Sequence, residues 1–453
     1  MHMYEAGPEI TTVGAGISVW TRTWQIMRLL GRYDDLAGAA VEPPGSEGRS
    51  EQTALEKAMN LDKLWYLVGT SAPLQHPYSL IGSTTMHRAD MVDVLVRSLP
   101  SSCAIHTSKR LLRYSESVRQ DKHGKHAYIT LYFADGTTAE TDVLVGADGI
   151  KSATRAAMYD YAHAHDCRPD VDRANCSRCA PATPKWTGTV GYRCLIPSEK
   201  LLSVNPEHPA SKRKAVLCYS GKEKRIAQHI ISYPISHGRY INWIGFVTIP
   251  DGEGTSYKGK WVKDVPKEEL VEHFAEWNQE VQEMLQCVNN PSLWAIHVID
   301  SLPFSVSGRV ALMGDAVHAM TTHFGAGAGQ AIEDAYILGR LLAHPLTTLS
   351  HVPDVFRIYE SVRLPYANNV VRLAREAGLM YEFNAPGHYG GERVAAEPEK
   401  LKELSEAMQR QWEWQWQEPF DAMWERAETA FVKLVREREQ SGRRKWYSPC
   451  RLI

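Results

Sequence analysis

Three groups of residues have types and spacings that could do chemistry. Gly314-Asp315 closes a short apolar run, GRVALMGDA, and is followed by Gly325, Gly327, Ala328 and Gly329. A carboxylate at a strand end can accept hydrogen bonds from hydroxyl groups, and glycines let backbone approach a flat ring without a Cβ in the way. A helix starting there would aim its N–H groups and its partial positive end at developing negative charge. The second group is Cys176-x-x-Cys179 with Cys167, His163 and His165 nearby. Thiolates and imidazoles can close a tetrahedron around zinc, but a firm assignment needs two well-spaced ligand pairs. This cluster is irregular, so the expectation is a surface loop of free thiols and no metal. The third is Gly14-Ala15-Gly16, which resembles the start of G-x-G-x-x-G. Val19 occupies the third glycine position, and the only nearby strand-end acid, Glu5, precedes the glycines instead of following them.

The elements that must position these groups alternate in kind. Trp20, Trp24, Met27 and Leu30 recur at helical spacing within residues 12–31, with Gly31 as a stop, and predict an amphipathic helix behind a glycine turn. His87 to Leu99 opens a second helix. AYITLYF, the turn Asp135-Gly136 and the run DVLVG before Ala147-Asp148-Gly149 predict strands, the last buried and feeding a helix. RIAQHIISY and YINWIGFVT flank Ser236-His237-Gly238 and predict an antiparallel hairpin. From Val355 onward helical patterns dominate, interrupted near Asn384 to Gly391 and at Pro419. This order predicts an α/β fold in which a Rossmann-like nucleotide-binding unit, built from discontinuous segments, is interrupted by an antiparallel sheet. The expected divisions are 1–180, 185–300, 301–345 and a helical 346–453.

Composition narrows the function. The 453 residues carry 51 Lys+Arg against 53 Asp+Glu, a formal net charge of −2, so no global field recruits nucleic acid or an anionic membrane. Trp412, Trp414 and Trp416 suit helix packing better than a base-stacking platform, because the first and third share a helix face among Gln and Glu. No run of about 18 apolar residues predicts a membrane span. The amino terminus lacks a secretory pattern and the eight cysteines are scattered, which predicts a reducing, cytoplasmic setting. Cys450-Arg451-Leu452-Ile453 is a poor prenylation box, since Arg451 replaces an aliphatic residue.

HRAD at His87 to Asp90, DVLVGADGIKSATR from Asp142, YRCLIP from Tyr192 and GRVALMGDAVHAMTTHFGAGAGQAIEDA from Gly308 together resemble, in order, the signatures of FAD-dependent aromatic hydroxylases of the salicylate hydroxylase type. The resemblance runs from Tyr4 to about residue 380. YEAGPEITTVGAGISVW resembles the stretch that in this family follows the second strand, which implies that a first strand and its G-x-G-x-x-G helix would lie upstream of Met1. On that reading Glu5 ends a strand and binds the adenosine ribose, with Gly16 in the cofactor-facing stretch after it; by its own chemistry Glu5 could equally be a solvated terminal residue.

Residue by residue, the resemblance implies that Arg88 lies against the FAD diphosphate or ribityl region and that Asp315 binds the ribityl chain. Backbone from Gly325 through Gly327 to Ala328 would approach the isoalloxazine, and Asp148 sits in a motif associated with FAD and pyridine nucleotide. The implied reaction uses NAD(P)H to reduce FAD and O2 to form a flavin C4a-hydroperoxide, which hydroxylates a phenolic or aromatic carboxylate substrate. Arg193 is the candidate for favouring a phenolate or carboxylate, since its fixed charge lowers the cost of an anion beside it. Tyr233 resembles a tyrosine that some fungal members place beside that arginine; a strand-end core tyrosine is the plainer alternative. Thr322 and Phe324 depart from the family pattern, and His318 and His323 flank the same segment as proton-relay candidates that suit a structural role better. The expected partners are a small aromatic substrate and O2, with the chain a monomer or homodimer. A catalytically impaired homologue, or another flavin oxidoreductase such as a halogenase or reductase, is the alternative function.

Overall fold

Alternation along the strand Lys185–Pro197 decides the architecture of the middle of the chain. Trp186, Val190, Tyr192, Cys194 and Ile196 are buried in one core, which places Gly191, Arg193 and Leu195 on the opposite face. In this computed structural model the described residues are 1–10, 16–40, 64–68, 77–78, 84–121, 124–212, 216–223, 226–390, 398–415 and 419–446.

Lys185–Pro197 lies third in an eight-stranded sheet, between Ser292–Val298 and Tyr240–Glu253. The order continues through Ile226–Ile235, Leu217–Glu223, Leu64–Val68 and Pro77–Tyr78, with Val262–Asp264 at the other edge. All neighbours are antiparallel except Leu64–Val68 on Leu217–Glu223. The predicted hairpin is present: Ile226–Ile235 and Tyr240–Glu253 pair across a turn in which Ser236, His237 and Gly238 all take positive φ. One face of this sheet is covered by the helices Lys267–His273 and Gln279–Cys287, through Leu270, Phe274, Trp277, Val281 and Met284.

Smaller parallel pairings build the α/β part. His2–Tyr4 pairs with Ala104–His106, and Leu144–Gly146 pairs with Val310–Leu312. The second pairing joins two segments that the large sheet separates in sequence, so the strand ends at Asp148 and Asp315 belong to one layer. Behind it lie the helices Ala153–Asp166, Gly327–Leu342 and Val352–Tyr381, the last containing Pro365. Two further helices, Pro398–Gln411 and Phe420–Trp446, pack against Val352–Tyr381.

The predicted helix over residues 12–31 is two elements. Gly16–Val19 is a strand, antiparallel to Thr84–His87, and the helix is Thr21–Leu29. β-Branched Ile17 and Val19 fit a pleated surface, and Val19 is buried against the helical core while Ser18 points to the other face. Gly31 ends the helical segment with φ +66°, as expected. Trp412 and Trp414 are buried in helix packing around Phe324, and Trp416 falls outside the described residues. Gly14, Ala15 and Cys450 to Ile453 also fall outside them. Among the described residues no helix is long and apolar enough to cross a membrane.

Candidate active site

The strand Gly16–Val19 is the hinge on which the site is assembled. A Cβ at Gly16 would sit 2.5 Å from Tyr233 Cε2 and 2.7 Å from its hydroxyl oxygen, so only glycine lets this strand lie against the tyrosine. Two residues on, Ser18 touches Gly325, whose Cβ would be 3.0 Å from that of Ser18. Trp20 then donates its indole N–H to the Phe324 carbonyl at 3.0 Å. Thr85, on the partner strand, donates to the Pro234 carbonyl at 2.8 Å and ties the same ribbon to the large sheet. Gly16 itself pairs with His87, the residue before Arg88.

On the α/β side, the strand Val310–Leu312 leads into Gly314, whose φ of +59° turns the chain so that Asp315 opens the short helix Asp315–His318. Asp315 is exposed although Ala316, Val317 and His318 behind it are buried. Its Oδ1 lies 3.9 Å from where a Cβ on Gly327 would be, which brings the carboxylate to the start of the helix Gly327–Leu342. That helix has no side-chain cap, and its first intrahelical bond runs from Gln330 N to Ala326 O. The N–H groups of Gly327, Ala328 and Gly329 therefore have no intrahelical acceptor. Arg88 is exposed at the first position of the helix Arg88–Arg97. Among the described residues neither Asp315 nor Arg88 has an ion pair or side-chain hydrogen bond. An acceptor, a free guanidinium and a row of unpaired N–H groups suit the hydroxyls, phosphates and ring edge of FAD.

Fixing this cradle from behind is a buried charge network. Asp334 accepts from Gly314 N at 2.9 Å, from Arg363 Nε at 2.8 Å, and bonds to His318 Nε2 at 2.7 Å. Glu333 bridges Arg363 and Arg22 at 2.7 and 2.8 Å. His318 is thus held as structure. Asp148 is similarly committed: one oxygen accepts from Ser152 Oγ at 2.5 Å, the other from Thr154 N and Oγ1 at 2.9 and 3.0 Å, capping the helix Ala153–Asp166. Glu5 extends the strand His2–Tyr4, its N–H bonded to His106 O, and its carboxylate accepts from Gly7 N at 2.6 Å. It makes no hydrogen bond or ion pair with the Asp315, Arg88 or Arg193 groups.

The face of the large sheet opposite the helices Lys267–His273 and Gln279–Cys287 carries a second group of residues. Arg193 reaches Asn242 Oδ1 from Nη2 at 3.4 Å, while its Nε and Asn242 Nδ2 are buried without partners. Burial lowers the Arg193 pKa, opposed by the neighbouring Tyr233, and Arg88 adds a like charge in the same field. Burial pushes the Tyr233 hydroxyl up to about 12, against the pull of Arg193, so it stays a neutral donor at physiological pH. Gly16 thus lies against Tyr233, Arg193 is within electrostatic reach of Tyr233 and Arg88, and Asp315 lies beside Gly327, with Ser18 joining Gly325 to the Gly16 strand.

Sequence reading missed a buried group on the same sheet face. His229 lies four residues before Tyr233, and strand alternation puts both on one side. Its Nδ1 is 3.0 Å from Glu382 Oε1, its ring stacks on Phe246 at 4.3 Å, and His323 lies 4.9 Å away. Burial drives both imidazoles down to about 3, and burial also raises Glu382 to about 7. Low dielectric favours the uncharged form of each, so we describe His229 and Glu382 as a neutral hydrogen-bonded pair, not an ion pair. The alternation H-I-I-S-Y was the available signal; the partner Glu382, 153 residues away, had none.

A family described as an FAD binding domain matches residues 253–374. The chain is 30% identical over 428 residues to a salicylate hydroxylase of Pseudomonas putida, covering 93% of this chain and 87% of that protein. It is 32% identical over 443 residues to an FAD-dependent monooxygenase of Strobilurus tenacellus, covering 91% and 89%. A solved salicylate hydroxylase substrate complex superposes with a TM-score of 0.71 at 28% identity, over 91% of this chain and 90% of that one.

Proposed function

The chain belongs to the FAD-dependent aromatic monooxygenases of the salicylate hydroxylase type, and we propose that within this family it hydroxylates a small phenolic or aromatic carboxylate anion, using NAD(P)H and O2. The observation that carries this reading is Arg193: a half-buried guanidinium with an unsatisfied Nε, on the sheet face that also carries Tyr233. A buried cation with spare donors is stabilised by an incoming carboxylate or phenolate, and the anion is stabilised in turn.

Bound FAD supplies the redox chemistry, accepting hydride from the nicotinamide and activating O2 for hydroxyl transfer. This chain's residues would hold it through Arg88 at the diphosphate, Asp315 at the ribityl hydroxyls, and the N–H groups of Gly327 and Ala328 at the ring edge. Asp148 acts one step removed, positioning the Asp-Gly turn by capping the helix behind it.

The substrate's anionic group would sit against Arg193, with the neutral Tyr233 hydroxyl donating a second hydrogen bond. Holding the substrate as a phenolate raises electron density on its ring, which favours attack on an electrophilic oxygen. Phe246, Ile231 and Ile244 share the sheet face and supply apolar wall that keeps water from the reacting atoms. Relatives named as salicylate and 6-methylsalicylate hydroxylases support an ortho-hydroxybenzoate as the first substrate class to try.

Purified FAD-loaded protein mixed with salicylate-class acids should oxidise NAD(P)H faster than in their absence and yield a ring-hydroxylated product, identified by mass spectrometry. Equal oxidation with and without every hydroxybenzoate tested, with all reducing equivalents lost as hydrogen peroxide, would overturn the substrate assignment.

A further inference from the structure

The segment after the helix Ala153–Asp166 plays no part in the site described above, yet it gathers four metal-ligand side chains. His163 and Cys167 stand one turn apart at the end of that helix, on the same side. Cys176 and Cys179 lie between two short turns, Arg173–Asn175 and Ala180–Ala182. The spacing that looked irregular along the chain therefore resolves into two pairs, one from a helix and one from a tight turn. His165, the fifth candidate, packs against Tyr161 at 4.2 Å.

One ligand atom from each of His163, Cys167, Cys176 and Cys179 lies within 4.8 Å of the other three. Cys167 Sγ is 3.7 Å from both Cys179 Sγ and Cys176 Sγ. Zn–S bonds of about 2.3 Å arranged tetrahedrally put sulfurs about 3.8 Å apart, whereas a disulfide needs about 2.05 Å. All three cysteines are free. Cys179 N and Ala180 N donate to the Cys176 carbonyl at 3.0 and 2.8 Å, closing the tight turn that holds the two sulfurs on one side. His163 lies against Cys176, and its Nδ1 is buried with no hydrogen-bond partner. The Arg178 guanidinium approaches Cys167 and pairs with Asp166 at 3.1 Å.

We infer that His163, Cys167, Cys176 and Cys179 form a closed structural zinc site that staples the 163–182 segment to the back of the FAD-binding layer. Three thiols and one neutral imidazole bind Zn2+ with release of three thiol protons, leaving one net negative charge beside the Arg178–Asp166 pair. Four protein ligands leave no open position, so the role is structural. Soft thiolate ligands in a tetrahedron select zinc over magnesium or calcium.

The site's place in the fold gives it a consequence. Cys176, Cys179 and Ala182 share a core with Ala316 and Val317, directly behind Asp315. Arg155 donates to the Ala182 carbonyl and to the Ala316 carbonyl, each at 2.8 Å, and also bonds to the Ile150 carbonyl. One guanidinium thus links the stapled segment, the Asp-Gly turn and the helix that presents Asp315. Loss of the metal should lower thermal stability first and FAD retention second.

The test is metal analysis of the full-length flavoprotein purified from zinc-supplemented medium without chelator. We expect one zinc per chain, retained through gel filtration, released on thiol modification, and absent from the Cys176→Ser/Cys179→Ser double variant. Because that variant could fail to fold, the wild-type protein is also exchanged with Co2+. Intense d–d bands to the red of the flavin absorption would report tetrahedral thiolate ligation, and His163→Cys should keep a metal that His163→Ala loses. Zinc-free wild-type protein, weak octahedral Co2+ bands, or a disulfide within the cluster by mass spectrometry would overturn the assignment.

Discussion

Arg363 is a fully buried guanidinium and Arg193 a half-buried one, and the contrast between them separates scaffold from site. Arg363 bonds to Asp334, to Glu333 and, through Nη2, to both the backbone and side-chain oxygens of Gln330. Its two carboxylate partners outweigh burial and raise its pKa. Among the described residues Arg193 has one long hydrogen bond, to Asn242, a distant approach to the Trp294 ring and an orphaned Nε, and burial lowers its pKa. A fully paired buried charge fixes a structure; a buried charge left short of acceptors is held ready for one that arrives from outside. The same contrast separates Asp334, with three partners, from Asp315, with none among the described residues.

Removing Arg363 should have the largest effect on stability. Arg363→Leu leaves Glu333 and Asp334 partly uncompensated and should cost about 3–5 kcal/mol in chemical denaturation, the range for breaking a buried ion pair. A loss under about 1 kcal/mol would erase the contrast. Asp315→Ala should leave unfolding nearly unchanged but weaken FAD retention by roughly tenfold or more, the scale of a charge-assisted hydrogen bond, read from flavin fluorescence during titration of the apoprotein.

The smallest expected effect is a pH dependence. Glu382 has its pKa raised from 4.5 to about 7, so the folded state holds this proton more tightly than the unfolded chain. That contribution to stability is complete below about 4.5 and is lost as pH rises through about 7. Glu382→Gln, which stays neutral, should flatten the decline of Tm across that window. His229 and His323, driven down to about 3, act in the opposite sense: their contribution is present above 6.5 and is lost on acidification. An unchanged Tm profile in Glu382→Gln would show that Glu382 ionises normally.

The sequence made the cradle legible because its chemistry is local. Gly314-Asp315 and the glycines after it lie within 16 residues, and a strand, a turn and a helix start suffice to juxtapose them. Arg193 was legible through the resemblance carried by YRCLIP, although Asn242 on the next strand was not. The predicted helix at 12–31 hid the strand Gly16–Val19, because Trp20, Trp24 and Met27 gave a helical period that overrode two β-branched residues before it. That strand pairs with Thr84–His87, nearly 70 residues away, and no local signal announces such a partner. His229 was hidden for the same reason, since its partner Glu382 comes from the end of the helical region. The cysteine cluster shows the converse: its sequence spacing looked irregular because a helix turn and a tight turn fold two different periods onto one point.

The account rests on the proposed division of labour in which Arg88, Asp315 and the N–H groups of Gly327 and Ala328 hold the cofactor and Arg193 handles the anionic ring. The direct measurement is a three-way comparison of Arg193→Ala with wild type: FAD per chain, Tm, and hydroxybenzoate-stimulated kcat/KM coupled to product. The predicted result is unchanged flavin content and Tm with kcat/KM lower by about 10- to 100-fold, the worth of a charged hydrogen-bonding partner. Full substrate-coupled turnover in Arg193→Ala, or loss of FAD from it, would contradict the account.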